Sequence, residues 1–233
     1  MTDNTFAEKI ITFCKGLDFV GSLPPGIKIM NPFRSNPEVI PAIIQFYNRY
    51  YSDNNSRHMI IGINPGRFGA GVTGIPFTDT IRLKEKCGIE IPGLRSFETS
   101  SVFVYEMIDS FGGPEKFYGD FYVTSVSPLG FTSAGKGEKE LNYNYYDSKE
   151  LIESIMDFAV ESLWKQIGFG VERNIGFCLG TGKNYRFLKE LNIRHGFFEK
   201  IEPLEHPRFI MQYRTKVKES YIESYINKLS GLR

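Results

Sequence analysis

The chain has 233 residues, of which 41% are hydrophobic, so it can bury a sizeable core and is not predicted to be disordered. A formal net charge of +1 gives the chain as a whole no sign of a nucleic-acid partner. No apolar run reaches the roughly 18 residues of a membrane span, and the N-terminus lacks the pattern of a signal peptide, so we expect a cytoplasmic protein with no membrane partner.

The predicted elements begin with a helix over residues 36–51, NPEVIPAIIQFYNRYY, capped by Asn36 and with Pro37 in its first turn. HMIIGI follows as a buried strand, and DFYVTSVSPLGF, 120–131, is a second buried strand that ends at Pro128. Residues 147–169 are predicted to form a long helix with a core-facing apolar stripe of Ile152, Ile155, Met156, Ala159, Leu163 and Trp164.

The last third of the chain continues the alternation of strands and helices. NIGFCLG is a third strand followed by the helix KNYRFLKEL, and FFEKIEPLEHPRFIMQ supplies a fourth strand and a loop before the closing helix KESYIESYINKL. This order predicts one α/β domain over residues 1–233, with three α/β/α layers around a mainly parallel four-stranded sheet. We expect the loops at 62–80, 128–146, 180–184 and 206–214 to meet at the carboxyl edge of the sheet, where ligands bind.

The cysteine and histidine patterns indicate neither a disulfide framework nor a metal site. The cysteines are odd in number, far apart, and predicted to be buried thiols: Cys14, Cys87 and Cys178. A basic excess between Lys183 and Lys218 indicates either a modest nucleic-acid face or an ordinary solvated helix surface.

The stretch GINPGRFGAGVTGIPF, 62–77, has five glycines in sixteen positions directly after the first strand. It does not match a nucleotide phosphate loop, because it lacks the GxGxxG spacing and Pro65 removes a backbone donor. Close backbone approach at Gly62 and Gly66, the short amide of Asn64 and the ring of Phe77 suit a pocket for one base. The same composition also fits a structural turn with a core phenylalanine.

These residues resemble the first motif of the single-strand-selective monofunctional branch of the uracil-DNA glycosylase superfamily. Asn-Pro-Gly, Phe-Gly and Thr-Gly-Ile-Pro-Phe fall in register with that motif between residues 64 and 77. SFETSSVF, VTSVSPLGF, FCLGTGKNYRFL and HPR resemble its later segments in the same order. The resemblance implies the glycosylase fold and a monomeric repair enzyme that excises uracil from DNA, with DNA containing deaminated bases as its partner. It also implies that no metal or cofactor is needed.

The resemblance also implies roles for individual residues. Asn64 would position the attacking water, and His206 would stabilise the departing base. The residues implied to bind the base are Ile63, Gly66, Phe77, Ser125 and Asn142. The residues expected to bind DNA, from the resemblance or from the basic segment, are Lys183, Arg208, Phe209 and Arg214. Arg67, which departs from the family pattern, is expected to hold a phosphate or tune the pocket.

Three departures from the family pattern bear on specificity. Ser125 stands where the base-reading asparagine is expected, so Asn142 or Asn144 is considered as a substitute reader, and the range of bases can extend to xanthine or hypoxanthine. Arg67 replaces a proline, and HPRFIMQYR lacks the usual Ser-Pro-Arg run after the histidine. A binding module on the same fold that has lost catalysis is the alternative function. No cysteine lies in a motif loop, which argues against a thiol-dependent hydrolase.

Overall fold

The computed structural model describes residues 4–135 and 139–232, which form two β-sheets and the helices around them. The strands in these ranges are β1 (Ile27–Met30), β2 (Arg57–Gly62), β3 (Phe121–Ser125), β4 (Gly130–Ala134), β5 (Glu140–Tyr143), β6 (Val171–Leu179) and β7 (Lys200–Leu204). The helices are α1 (Phe6–Gly16), α2 (Pro32–Ser35), α3 (Val39–Tyr50), α4 (Ala70–Thr73), α5 (Thr80–Cys87), α6 (Thr99–Phe111), α7 (Pro114–Asp120), α8 (Lys149–Ile167), α9 (Lys183–His195), α10 (Pro207–Tyr213) and α11 (Lys218–Ser230).

The central sheet has the order β3-β2-β6-β7, and its neighbouring strands are parallel throughout the described residues. Gly62 at the end of β2 lies opposite Ser125 at the end of β3, and Leu179 of β6 lies opposite Leu204 of β7. All of β3 and nearly all of β2 are buried, as expected for strands covered by helices on both faces. The predicted three-layer α/β/α architecture with a parallel four-stranded sheet is confirmed.

A second sheet was not predicted. The strands β1, β4 and β5 pair antiparallel in the order β1-β4-β5, so most of the predicted loop at 128–146 is in fact a hairpin. The prediction was wrong because GFTSA has no apolar alternation and ELNY alternates over only four residues, so these strands are defined by their pairing rather than by a clear sequence pattern. Residues 136–138 of that predicted loop lie outside the described residues.

Two helix boundaries differ from the prediction because of proline. Asn36 does not cap the helix predicted over 36–51; it ends the short α2 that Pro32 begins, and its side chain accepts a bond from the Glu38 amide before α3 starts. Most of the predicted loop at 206–214 is α10, because Pro207 fits the first helical turn and the His206 side chain caps it.

The apolar stripe of α8 is correct except at its edge. Ile155, Ala159 and Leu163 are buried, whereas Trp164 is 38% exposed. Trp164 follows Leu163 by about 100° around the helix, so its ring leaves the core. It packs instead against Phe197, at 5.0 Å between ring centroids.

The described residues contain buried thiols but no membrane-spanning helix and no metal cluster. The three cysteines are buried, as predicted. Within residues 4–135 and 139–232, no helix is long and apolar enough to cross a membrane, and no group of three or more His, Cys, Asp or Glu side chains is placed to hold a metal ion.

Candidate active site

A cavity of about 710 Å³ opens at the carboxyl edge of the central sheet, where the segments after β2, β6 and β7 meet. Ten of the predicted site residues line it: Ile63, Asn64, Gly66, Phe77, Ser125, Asn142, Lys183, His206, Arg208 and Phe209. Residues from distant parts of the sequence are therefore brought to one chamber, as the order of the strands predicted.

The amide of Asn64 is held in one orientation by the segment that follows β5. Its Nδ2 donates to the Tyr143 carbonyl at 3.2 Å and to the Pro65 carbonyl at 3.3 Å, while its Oδ1 accepts from the Tyr145 amide at 3.0 Å. A carboxamide oxygen has two lone pairs, so Oδ1 keeps one with which to bind a water molecule in the cavity.

His206 is the N-cap residue of α10 and is positioned by the helix that it caps. Its Nδ1 accepts a bond from the Arg208 amide at 3.1 Å, so the neutral imidazole carries its proton on Nε2. Burial lowers the pKa of His206 from 6.5 to about 4, and the positive charge of Arg208 adds to this effect. At neutral pH the ring is therefore an uncharged hydrogen-bond donor.

Phe77 and Ser125 both lie against the bare backbone of Gly62. A β-carbon at Gly62 would come within 3.0 Å of the Phe77 ring and 3.2 Å of the Ser125 hydroxyl. The centroids of the Phe77 and His206 rings are 5.9 Å apart. The glycine thus lets an aromatic face, a hydroxyl and an imidazole surround one narrow space.

The backbone of Phe77 is strained. Its φ of 53° is the sole positive value among the non-glycine residues in the described ranges, and such a conformation costs about 1 kcal/mol or more. The adjacent turn fixes it, because the Thr73 hydroxyl donates to the Thr78 carbonyl at 2.6 Å. The position of the ring is therefore maintained against the local preference of the chain.

The two asparagines considered as substitute base readers both line the cavity, but both already have partners. Asn142 Oδ1 accepts from the Arg67 amide at 2.9 Å, and Asn144 Nδ2 donates to Asp147 at 3.1 Å. Ser125 is 7% exposed and lies in the wall at the end of β3. Because Oδ1 of Asn142 is already bonded, its Nδ2 is the atom that can contact a ligand.

The predicted DNA-binding residues divide into two groups. Lys183, Arg208 and Phe209 belong to the cavity wall, at the starts of α9 and α10. Arg67 and Arg214 lie outside the wall, but each guanidinium packs on an aromatic ring that lines it. Arg67 is 4.3 Å from the centroid of Phe68, and Arg214 is 5.4 Å from that of Phe209.

Glu98 lines the cavity and was not predicted as a site residue. Its carboxylate fills the space that β-carbons at Gly66 and Gly69 would occupy, and it accepts a bond from the Ser101 hydroxyl at 3.2 Å. Burial raises the pKa of Glu98, and Asp79 also raises it, while Ser101 and Arg208 oppose the shift. An acidic residue inside SFETSSVF, directly before a helix, was the signal that could have found it.

The family comparison covers most of the chain. The model of the uracil DNA glycosylase superfamily matches residues 49–230. The crystal structure of wild-type SMUG2 from Pedobacter heparinus is similar to the chain at 52% identity, with a TM-score of 0.96, and the alignment covers 100% of this chain and 99% of that one. A search of curated proteins found no significant match.

Proposed function

The chain belongs to the uracil-DNA glycosylase superfamily, and from that premise we propose that it is a monofunctional DNA repair enzyme that hydrolyses the N-glycosidic bond of uracil and leaves an abasic site. The observation that carries the proposal is the convergence of Asn64 and His206 on one cavity that also contains the ring of Phe77. We further propose that the enzyme acts as a single-domain monomer in the cytoplasm and needs neither a metal nor a cofactor.

The target nucleotide enters the cavity after it leaves the base stack, because its reacting atoms are inaccessible within a duplex. Phe77 stacks on the base, and the backbone amides of Ile63 and Gly66 contact its polar edge. His206 Nε2–H donates to a carbonyl oxygen of the departing base, which leaves with the electron pair of the broken C–N bond. One preorganised donor of this kind is worth about 3 kcal/mol in the transition state.

Asn64 directs the water that replaces the base. Its Oδ1, fixed by the Tyr145 amide, orients the water toward the sugar carbon, where the new C–O bond forms. The proton released by the water passes to solvent, and the base anion is protonated after it departs. No amine takes part, and Lys183, whose Nζ lies 5.8 Å from the centroid of the Tyr146 ring, serves to bind DNA.

The substrate range is proposed to include other deaminated bases such as xanthine. Ser125 offers a short hydroxyl that can donate or accept, so it discriminates less strictly than a carboxamide. The free amide hydrogens of Asn142 offer a second contact to a larger base. Arg67, Arg208 and Arg214 bind the phosphates on either side, and Phe209 inserts into the space that the flipped base leaves.

A strand-cleavage assay tests the proposal. The protein is incubated with labelled single- and double-stranded oligonucleotides that contain uracil, xanthine or hypoxanthine, and abasic sites are then cleaved with alkali. We expect alkali-dependent cleavage at uracil, no cleavage without alkali, and no adduct after borohydride treatment. Cleavage without alkali or a trapped adduct would disprove the monofunctional assignment, and no cleavage on any substrate would favour the binding module instead.

A further inference from the structure

Four aromatic side chains are exposed at the cavity, although apolar rings of this size are usually buried. Phe68 and Phe97 are 47% and 52% exposed, and Phe209 and Tyr213 are 37% and 61% exposed. All four belong to the cavity wall. Exposed apolar surface that is concentrated at one site indicates contact with a ligand or partner.

Phe68, Phe97 and Phe209 each have an arginine packed against the ring, and Phe209 is already assigned to the space that the flipped base leaves. The Arg67 guanidinium carbon is 4.3 Å from the Phe68 centroid, and that of Arg82 is 4.9 Å from the Phe97 centroid. Arg82 is itself anchored, since it lies 3.4 Å from the fully buried carboxylate of Asp79. The Phe97 ring is thus backed by a fixed guanidinium before a ligand arrives, which reduces the entropy lost on binding.

The proposed function puts a nucleotide in this cavity, and the present inference rests on it. We propose that Phe68 and Phe97 form an arginine-backed platform on which bases next to the excised nucleotide stack when that strand is unpaired. Aromatic rings stack any base, and the Arg67 guanidinium beside Phe68 attracts the phosphates. In a duplex the same bases are stacked on one another, so they do not reach the platform.

The chain contains a matched control outside the cavity. Trp164 is 38% exposed, and the Arg173 guanidinium carbon lies 5.3 Å from its centroid, yet Trp164 is absent from the cavity wall. An exposed ring backed by arginine is therefore not by itself the proposed site. The platform differs from this pair by its place beside the chamber that receives the base.

The test measures binding rather than excision. Fluorescence anisotropy gives the affinity of the full chain for a short undamaged single strand, for the matching duplex, and for a single strand with abasic positions around one thymidine. We expect Phe68→Leu and Phe97→Leu each to weaken binding to the undamaged strand by about fivefold or more. Trp164→Leu should stay within about twofold, and thermal melting confirms that each variant is folded.

The abasic strand separates stacking from simple charge attraction. If the rings stack bases, wild-type protein should bind the abasic strand about as weakly as the Phe68→Leu/Phe97→Leu double variant binds the undamaged strand. The double variant should bind the abasic strand little more weakly than the wild type does. Equal losses on the normal strand, the abasic strand and the duplex would overturn the proposal, as would unchanged binding to the normal strand. Uracil excision by the wild-type protein is scored separately, so failure of the platform leaves the glycosylase assignment standing.

Discussion

The segment after β2 and the segment after β7 line the same cavity but are built in opposite ways. Between Gly62 and Phe77 the wall is largely bare backbone, with glycines that bring other groups close, one phenylalanine held in a strained conformation and the amide of Asn64. After β7, the wall is a helix whose first residues carry the polar side chains His206 and Arg208. The first wall sets the shape of the chamber and holds the amide that orients the water, and the second supplies charge and a hydrogen-bond donor to the base.

This difference predicts which substitutions lower the rate of excision and which change the fit of the base in the cavity. Side chains that act on the reacting atoms should affect turnover without changing DNA affinity. Groups that set the shape should change stability and the choice of base. The expected effects decrease from the substitution of Asn64, through those of His206 and Gly62, to that of Ser125.

Asn64→Ala should lower the rate of uracil excision by roughly 10³-fold, because the attacking water loses the group that orients it. DNA binding should change little, since the amide acts on the water rather than on phosphates. Single-turnover excision and anisotropy on the same oligonucleotide measure the two quantities. Activity within a few-fold of the wild-type value would show that Asn64 does not position the water.

His206→Asn should lower excision by about 10²-fold, because the donor to the departing base is lost. Asparagine is a good N-cap residue and can still accept from the Arg208 amide, so α10 should remain folded. Arg208→Gln is the matched control on the same helix, and it should weaken DNA binding more than it slows the bound enzyme. A slower bound rate for Arg208→Gln than for His206→Asn would reverse the assigned roles.

The pKa of His206 gives this donor a pH signature. The ring is neutral above its pKa of about 4, so the excision rate of the wild type relative to His206→Asn should be flat from pH 8 to about 5. As pH approaches 4 the ratio should fall, because a protonated Nδ1 can no longer accept from the Arg208 amide and the cap that positions the ring is lost. The ratio cancels the titration of other groups such as Glu98. Because the folded pKa lies below the unfolded value of 6.5, the unfolded chain takes up this proton first, and His206 makes stability decrease as pH falls from 6.5 to about 4.

Gly62→Ala should reduce both stability and excision, the latter by about tenfold. The added methyl group would lie 3.0 Å from the Phe77 ring and 3.2 Å from the Ser125 hydroxyl, so one of them must move. Such overpacking costs about 1–3 kcal/mol. Gly119→Ala, where a β-carbon meets nothing within 4 Å, is the control, and a melting temperature equal for both variants would contradict the tight contact.

Ser125→Asn should change the preference among bases more than the rate on uracil. One hydrogen bond gained or lost is worth about 1 kcal/mol, so the ratio of xanthine to uracil excision should shift by about fivefold. Competition between the two substrates in one reaction measures that ratio directly. An unaltered substrate profile would mean that Ser125 does not read the base.

The central sheet could be predicted from the sequence, because buried parallel strands form continuous apolar runs. The placement of Asn64 and His206 at one edge of that sheet could also be predicted, because the loops that follow parallel strands share one edge. The hairpin of β4 and β5 could not, since its polar residues are strands only through pairing with each other and with β1. That hairpin leads to Tyr143 and Tyr145, which hold Asn64. The sequence therefore indicated Asn64 as a candidate site residue but not the backbone groups that hold its amide in place.

Glu98 was missed for a related reason. An acidic residue directly before α6 is visible in the sequence, but the space that Glu98 fills over Gly66 and Gly69 is a contact between distant segments and leaves no local pattern. The Arg67–Phe68 pair is adjacent in the chain, but the distance between guanidinium and ring becomes visible only in three dimensions. Candidate site residues could be predicted where one sequence motif contains them, but the residues that contact them in the folded chain could not.

The left-handed backbone at Phe77 costs conformational stability in order to place a ring that the proposed activity needs. Glycine or asparagine would occupy that conformation at lower cost, which offsets part of the packing lost with the ring, so a library selected only for survival at high temperature should tolerate Phe77→Gly and Phe77→Asn. The same library selected for repair of deaminated DNA should keep an aromatic ring there. Lineages that adapt to hot habitats would then have to gain their stability elsewhere in the molecule.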